Sequence, residues 1–335
     1  MAKREILWDV MRGIAIMLVV IGHSGVSSFA WSFIYSFHMP LFFFISGYFL
    51  KANLEIKQFC IKKLKDLYVP FFKYYAILIL ASPLLHRYLL TKNNYGTVAD
   101  VSSALFLAAR FRVGAIDLLG QFWFLPVLFF VGIIAFVGVG ITEKYFHSNY
   151  VCLISGGAIF SILGGVGMRN HWYAPYDMYG VLYFLFYYIA GWYCHHVNPI
   201  RIGKANRYIL PCVVLLTLYC FYKENIEDWV VLKILAACIG IVLVFVVSKC
   251  LEKVTFLSKT LQYIGSHTMS IYVWHVFLFK LLELSMSYWV KGRSMTEGWN
   301  GCYASQAWYW VCCYSLVGVL VPILLVKLLN VIRKK

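Results

Sequence analysis

Long apolar runs, separated by short polar stretches, set the pattern of this chain. A bilayer span needs about 20 mostly apolar residues. Ten runs approach that length, over roughly 6–27, 31–50, 68–90, 121–141, 151–167, 178–196, 208–222, 229–248, 261–283 and 305–330. The third starts at Tyr68-Val69-Pro70, and proline is tolerated in a first turn. The longest connection, about 91–120, holds the run "SALFLAARF". That run is too short to cross and is expected to be interfacial or re-entrant. The glycine cluster "GGVG" at 164–167 is expected to serve packing rather than phosphate binding. The predicted fold class is therefore all-α: a polytopic membrane protein of about ten transmembrane helices, forming one integral membrane domain over residues 1–335.

Composition excludes a soluble protein. The chain is 62% hydrophobic and 13% charged, whereas soluble domains carry roughly 25% charged residues. The net charge of +16 is explained by Lys and Arg in short cytoplasmic loops; no arginine-rich block points to nucleic acid. With the N-terminus inside, the alternate loops hold 18 basic residues on the cytoplasmic side against 8 outside. An even helix count keeps Arg333, Lys334 and Lys335 inside as well, so both termini are expected to be cytoplasmic. The ten cysteines show no CxxC pair and no metal-ligand spacing. Cys152, Cys212, Cys220, Cys238, Cys312 and Cys313 sit in apolar runs, where cysteine behaves as a small hydrophobe. No metal site and no disulfide framework are expected. "MAKRE" before an apolar run, with Ser28-Phe29-Ala30 beyond it, resembles a signal peptide, but Asp9 and Arg12 interrupt the required order. The segment is expected to be retained.

Ionisable residues inside a membrane are costly, so each is a functional candidate. In "WDVMRGIAIMLVVIGH", Arg12 and His23 are eleven residues apart and share one helix face, about 16 Å apart along the axis. Asp9 lies one turn below Arg12, within reach of an ion pair. Arg12 reads either as a snorkelling residue or as part of a lined cavity; His23 reads either as a helix-end histidine or as a reactive one. In "FHMPLFFFISGYFL", His38 stands at a helix start, with a structural cap as the bland alternative. Ser46-Gly47 would let another helix come close. Trp123 in "GQFWFLPVLFF" is placed at a membrane boundary. Tyr272 and His275 share a face in "LQYIGSHTMSIYVWHVFLFK", and His275 reads equally as structural or functional.

Taken together, the Arg-x10-His first helix, "FHMPLFFFISGY", "KKLKDLYVPFF", "WFLPVLF" and "YIGSHTMSIYVWH" resemble the acyltransferase-3 family, over essentially the whole chain and in the family's motif order. The resemblance implies a bacterial inner-membrane O-acyltransferase. Its donor would be an acyl-CoA, usually acetyl-CoA, used as co-substrate with no permanently bound cofactor. Its acceptor would be a hydroxyl of a surface carbohydrate or lipid-linked glycan, met alongside membrane lipid. Arg12 and His23 match the pair regarded as essential. Lys63 and Lys65 match the family's basic residues before the third helix and are expected to meet CoA phosphates. Lysine stands where many relatives have arginine, so the bidentate fork is lost.

A hydroxyl attacks a thioester only if its proton is removed, and a neutral imidazole can do that. His23 is expected to be the general base or, alternatively, to carry the acyl group transiently. Arg12, oriented by Asp9, would hold the donor's CoA end. A transporter or flippase of the glycan or acyl group is the competing reading. Aromatic external residues, including Trp172, Tyr173, Tyr176, Trp289 and Trp299, with Asp177, suit sugars and interface anchoring alike.

Overall fold

Two of the predicted spans are divided, with polar side chains bonded to the backbone beside each break. In the second, the Ser36 hydroxyl donates to the carbonyl of Phe33, and His38 Nδ1 donates to that of Ile34. In the ninth, His267 Nδ1 donates to the Tyr263 carbonyl and the Thr268 hydroxyl to the Gly265 carbonyl. Each predicted run is two helices.

A computed structural model describes residues 6–88, 90, 95–112, 117–146, 149–196, 205–226, 229–289 and 308–332. Among them are fourteen α-helices and no strand: α1 Ile6–Gly22, α2 Ser28–Tyr35, α3 His38–Tyr48, α4 Ile56–Lys63, α5 Val69–Arg87, α6 Val98–Ala109, α7 Phe124–Tyr145, α8 Tyr150–Arg169, α9 Met178–His196, α10 Ile209–Ile226, α11 Val230–Leu251, α12 Thr255–Ser266, α13 Thr268–Trp289 and α14 Trp308–Ile332. A π-turn, Leu64–Tyr68, joins α4 to α5. Among the described residues seven helical segments are long and apolar enough to cross a membrane: Ser28–Tyr48, Ile56–Arg87, Leu118–Tyr145, Tyr150–Arg169, Val230–Leu251, Thr268–Met286 and Trp308–Ile332. The three other predicted runs form α1, α9 and α10, of 17, 19 and 18 residues. The run "SALFLAARF" falls in α6, whose Thr97 and Asp100 form a reciprocal capping box, the arrangement that satisfies first-turn donors. Trp299 and the last three residues, named above, lie outside the described residues, as do Lys3, Arg4, Lys92, Arg201, Lys204, Lys291 and Arg293 of the basic residues counted there and the side chain of Trp289.

The chain divides into two compact units. The first contains 1–41, 202–226 and 233–335. In it α1 packs on α12, α13 and α14, and α2 packs on α1 and α10. The α1–α12 crossing is close because it is built on glycine at both sides. A β-carbon on Gly13 would lie 2.9 Å from the carbonyl carbon of Leu261, and one on Gly265 would lie 3.0 Å from the Gly13 nitrogen. The second unit contains 42–201 and 227–232. Its central contact is α8 on α9, with α7 beside α9. The "GGVG" cluster serves that contact: a β-carbon on Gly164 would lie 2.9 Å from Leu182 Cβ, and one on Gly167 would lie 2.6 Å from Tyr179 Cγ.

Large apolar side chains face outward on α8 (Val151, Ile159, Phe160), α10 (Leu210, Val214, Phe221) and α14 (Leu316, Leu320, Leu324). Apolar faces of this kind belong against another apolar phase. The outward faces and the seven long apolar helices together define a multi-pass membrane protein.

Candidate active site

The first unit gathers imidazoles. His23 follows the last turn of α1, and its backbone N–H still bonds the carbonyl of Val19 at 3.1 Å. Gly25, at φ 79°, turns the chain back, and α2 then lays Tyr35 against His23. The Tyr35 hydroxyl lies 3.4 Å from His23 Nδ1, with the two rings edge-on. Gly22 makes room for this: a β-carbon there would lie 3.0 Å from Tyr35 Cε2. On the far side of Tyr35, the His38 ring lies with its centroid 4.5 Å away. From α13, the His275 ring approaches His23 with centroids 5.3 Å apart.

Hydrogen bonds assign the tautomers. A backbone carbonyl only accepts, so the ring nitrogen facing it donates. His38 Nδ1 donates to the Ile34 carbonyl at 2.9 Å. His275 Nδ1 donates to the carbonyls of Ile271 and Tyr272, both at 3.0 Å. The neutral ring of His275 therefore carries its free lone pair on Nε2. That atom is fully buried and has no hydrogen-bond partner. Buried polar atoms are nearly always paired, and an exception calls for an explanation. A reactive or substrate-binding role supplies one.

The other sequence candidates divide by location. Arg12 and Asp9 form an ion pair at 3.5 Å near the opposite end of α1; Asp9 is buried, and the Arg12 side chain keeps 35% of its exposure. His38 is buried and ties off the end of α2, which fits the capping alternative. Tyr272 supports His275 through its backbone carbonyl.

The remaining candidates lie in the second unit. Ser46 is half-buried, and the close approach belongs to its neighbour. A β-carbon on Gly47 would lie 2.7 Å from the carbonyl carbon of Tyr188. Trp123 ends a 3-10 turn and stacks on Phe184, which stacks on Phe43. Lys63 and Lys65 are not equivalent. Lys63 turns inward, donating to the Tyr188 hydroxyl at 3.2 Å and lying over the Phe59 ring. Lys65 sits in the π-turn and is exposed. Among the described residues no cluster of His, Cys, Asp and Glu could hold a metal ion, and nine cysteines are free.

What sequence reasoning underweighted is His275 as a partner of His23. Spacing along α13 gives its face, but only tertiary packing brings it to α1. Its available signal was a histidine in mid-span, which is expensive unless used.

These features define a helical multi-pass membrane protein with a buried histidine cluster beside one end of its first helix. The sequence profile of the acyltransferase-3 family, described as an acyltransferase domain, matches residues 6–327. The chain belongs to this family of membrane acyltransferases. No curated protein and no solved structure matches it.

Proposed function

We propose that this protein is an O-acyltransferase of the bacterial cytoplasmic membrane, crossing it ten times with both termini inside. It moves an acyl group, in the simplest case acetyl, from acyl-CoA to a hydroxyl of a surface glycan or lipid-linked sugar. The observation that carries the reading is the His23–His275 pair, in which one imidazole has a fixed tautomer and a buried, unpartnered Nε2.

The reaction needs a proton acceptor when the sugar oxygen attacks the thioester carbonyl. His23 takes that proton as the C–O bond forms. The C–S bond then breaks, and the imidazolium returns the proton to the departing CoA thiolate. The Tyr35 hydroxyl faces His23 Nδ1 and orients the ring so that Nε2 takes and returns the proton, and the lone pair of His275 Nε2 beside it favours the transient positive charge. Arg12, with Asp9 steering it, contacts the donor toward the other end of α1, and the pantetheine arm spans the roughly 16 Å along the helix. Lys65 meets a CoA phosphate as an exposed point charge.

Membranes holding the protein, supplied with acetyl-CoA and glycan acceptor, should release free CoA thiol and label the glycan. His23→Ala, present at normal membrane levels, should abolish both. Full glycan acylation by His23→Ala, or acceptor movement across the membrane without thiol release, would overturn the proposal; the second result would favour a transporter.

A further inference from the structure

The second unit contains a cavity of about 300 Å³ whose walls include Phe111, Arg112, Trp123, Tyr173, Tyr176 and Asp177. That volume is at the lower end for small-molecule sites and suits a single ring. Its floor is stiff, because Trp123 stacks on Phe184 at 5.7 Å and Phe184 on Phe43 at 4.2 Å. The Arg112 guanidinium lies 5.7 Å from the Tyr176 ring centre.

The backbone at this cavity is unusual. Four non-glycine residues among those described have positive φ: Phe111 and His171 close the C-terminal ends of α6 and α8 in that conformation, whereas Tyr176 at 57° and Asp177 at 52°, between α8 and α9, line the cavity. For bulky residues this conformation is an outlier. Strain of that kind collects where a ligand site requires a particular side-chain direction. The surrounding walls push the Asp177 carboxyl above its usual range, although the Gly180 N–H bonds it and pulls the other way.

We propose that this cavity binds one ring of a neutral saccharide. The flat C–H face of the ring lies on Trp123 and Tyr176, the exposed Tyr173 ring covers its outer edge, Asp177 accepts from its hydroxyls, and Arg112 donates to its oxygens. Other ligand chemistries fit less well. An acyl chain would cover Arg112 and Asp177 without pairing them, which is costly. A phosphate or carboxylate would face Asp177, and a quaternary ammonium would face Arg112. A hydroxyl-bearing ring uses both charges and both aromatic faces. The inference draws on the proposed function only for the expectation of a sugar acceptor; binding itself needs no acyl donor.

The test is saturation-transfer difference NMR on the full chain in phosphatidylcholine nanodiscs, without acyl-CoA. The probes are methyl β-glucopyranoside, methyl β-galactopyranoside and methyl N-acetyl-β-glucosaminide. At least one should show transfer at millimolar concentration. The signal should fall at least fivefold in Tyr173→Ala and in Arg112→Gln. Tyr173 is 85% exposed, so its truncation leaves the fold intact, and unchanged circular dichroism checks this. No transfer from any probe to the wild type, or transfer unchanged in both variants, would overturn the assignment. His23→Ala should still bind. Loss of the acyl-transfer reading with binding retained, or the reverse, separates the failure of one proposal from that of the other.

Discussion

The rings of His23 and His275 lie with centroids 5.3 Å apart, one after α1 and the other in the middle of α13. Only one of the four ring nitrogens, His275 Nε2, is both buried and without a hydrogen bond. If His275 only filled space, a phenylalanine of similar shape would serve as well and would remove a costly orphan. If it stabilises charge on His23, it cannot be replaced. His275→Phe is expected to fold normally and to lower turnover by roughly 10²–10³, the range of a positioned acid–base group. The His23→Ala/His275→Phe double variant should be no slower than the slower single variant, because residues acting as one unit are not additive. CoA-thiol release measures all three. Additive losses would mean that His275 acts apart from His23.

Tyr35 reaches His23 because Gly22 carries no side chain. Tyr35→Phe keeps the ring and removes the hydroxyl. A fivefold loss of turnover is expected, corresponding to a bond worth about 1 kcal/mol. Gly22→Ala instead puts a methyl 3.0 Å from the ring and 3.4 Å from Ile34 Cγ2. It should cost more than Tyr35→Phe, since it displaces the ring as well as the hydroxyl. Thiol-release rates for the two variants in parallel decide this, and a silent Gly22→Ala would show that the Tyr35 ring has room to shift.

The α1–α12 crossing holds Arg12 in place. A β-carbon on Gly265 would come within 3.3 Å of Arg12 Cβ, and its other neighbours are backbone atoms of α1. Backbone cannot move aside as a flexible side chain can. Gly13→Ala and Gly265→Ala are each expected to destabilise the protein by at least the ~1–3 kcal/mol typical of overpacking. Gly140→Ala is the control, because its β-carbon would meet nothing within 4 Å; there the better helix propensity of alanine should show, if anything, as a small gain. Thermal unfolding in detergent should order the variants accordingly. Equal melting temperatures for all three would contradict the packing.

The sequence made one kind of information legible and concealed another. Apolar runs mark where helices lie, and the eleven-residue spacing puts Arg12 and His23 on one face. The breaks after Tyr35 and at His267 were hidden, since the apolar pattern continues through both. The side chain-to-carbonyl bonds that accompany them are not registered by hydropathy. The histidine cluster was legible only in part: "FHMP" and "YVWH" each supply a histidine, but helical periodicity says nothing of which helix its face meets. The same holds for Lys63 and Lys65. Two lysines in "KKLKD" read as one basic patch, yet positions two apart lie about 200° apart around a helix, and Lys63 turns inward while Lys65 stays exposed.

That divergence gives the two lysines different consequences. Lys65→Gln removes an exposed point charge. If that charge meets CoA phosphate, KM for acyl-CoA should rise severalfold with kcat unchanged, and the difference from wild type should shrink as salt screens the contact. Lys63 donates to Tyr188, whose ring is buried. Lys63→Met therefore leaves the Tyr188 hydroxyl without its donor at a cost of about 1–3 kcal/mol. It should appear as lower melting temperature and yield, with KM little altered in the protein that folds. Adding Tyr188→Phe to Lys63→Met removes the stranded hydroxyl and should restore part of the stability. Steady-state kinetics and melting curves on the four proteins separate these effects. A KM increase in Lys63→Met that Lys63→Arg reverses, with stability unchanged, would instead put the Lys63 ammonium on the donor.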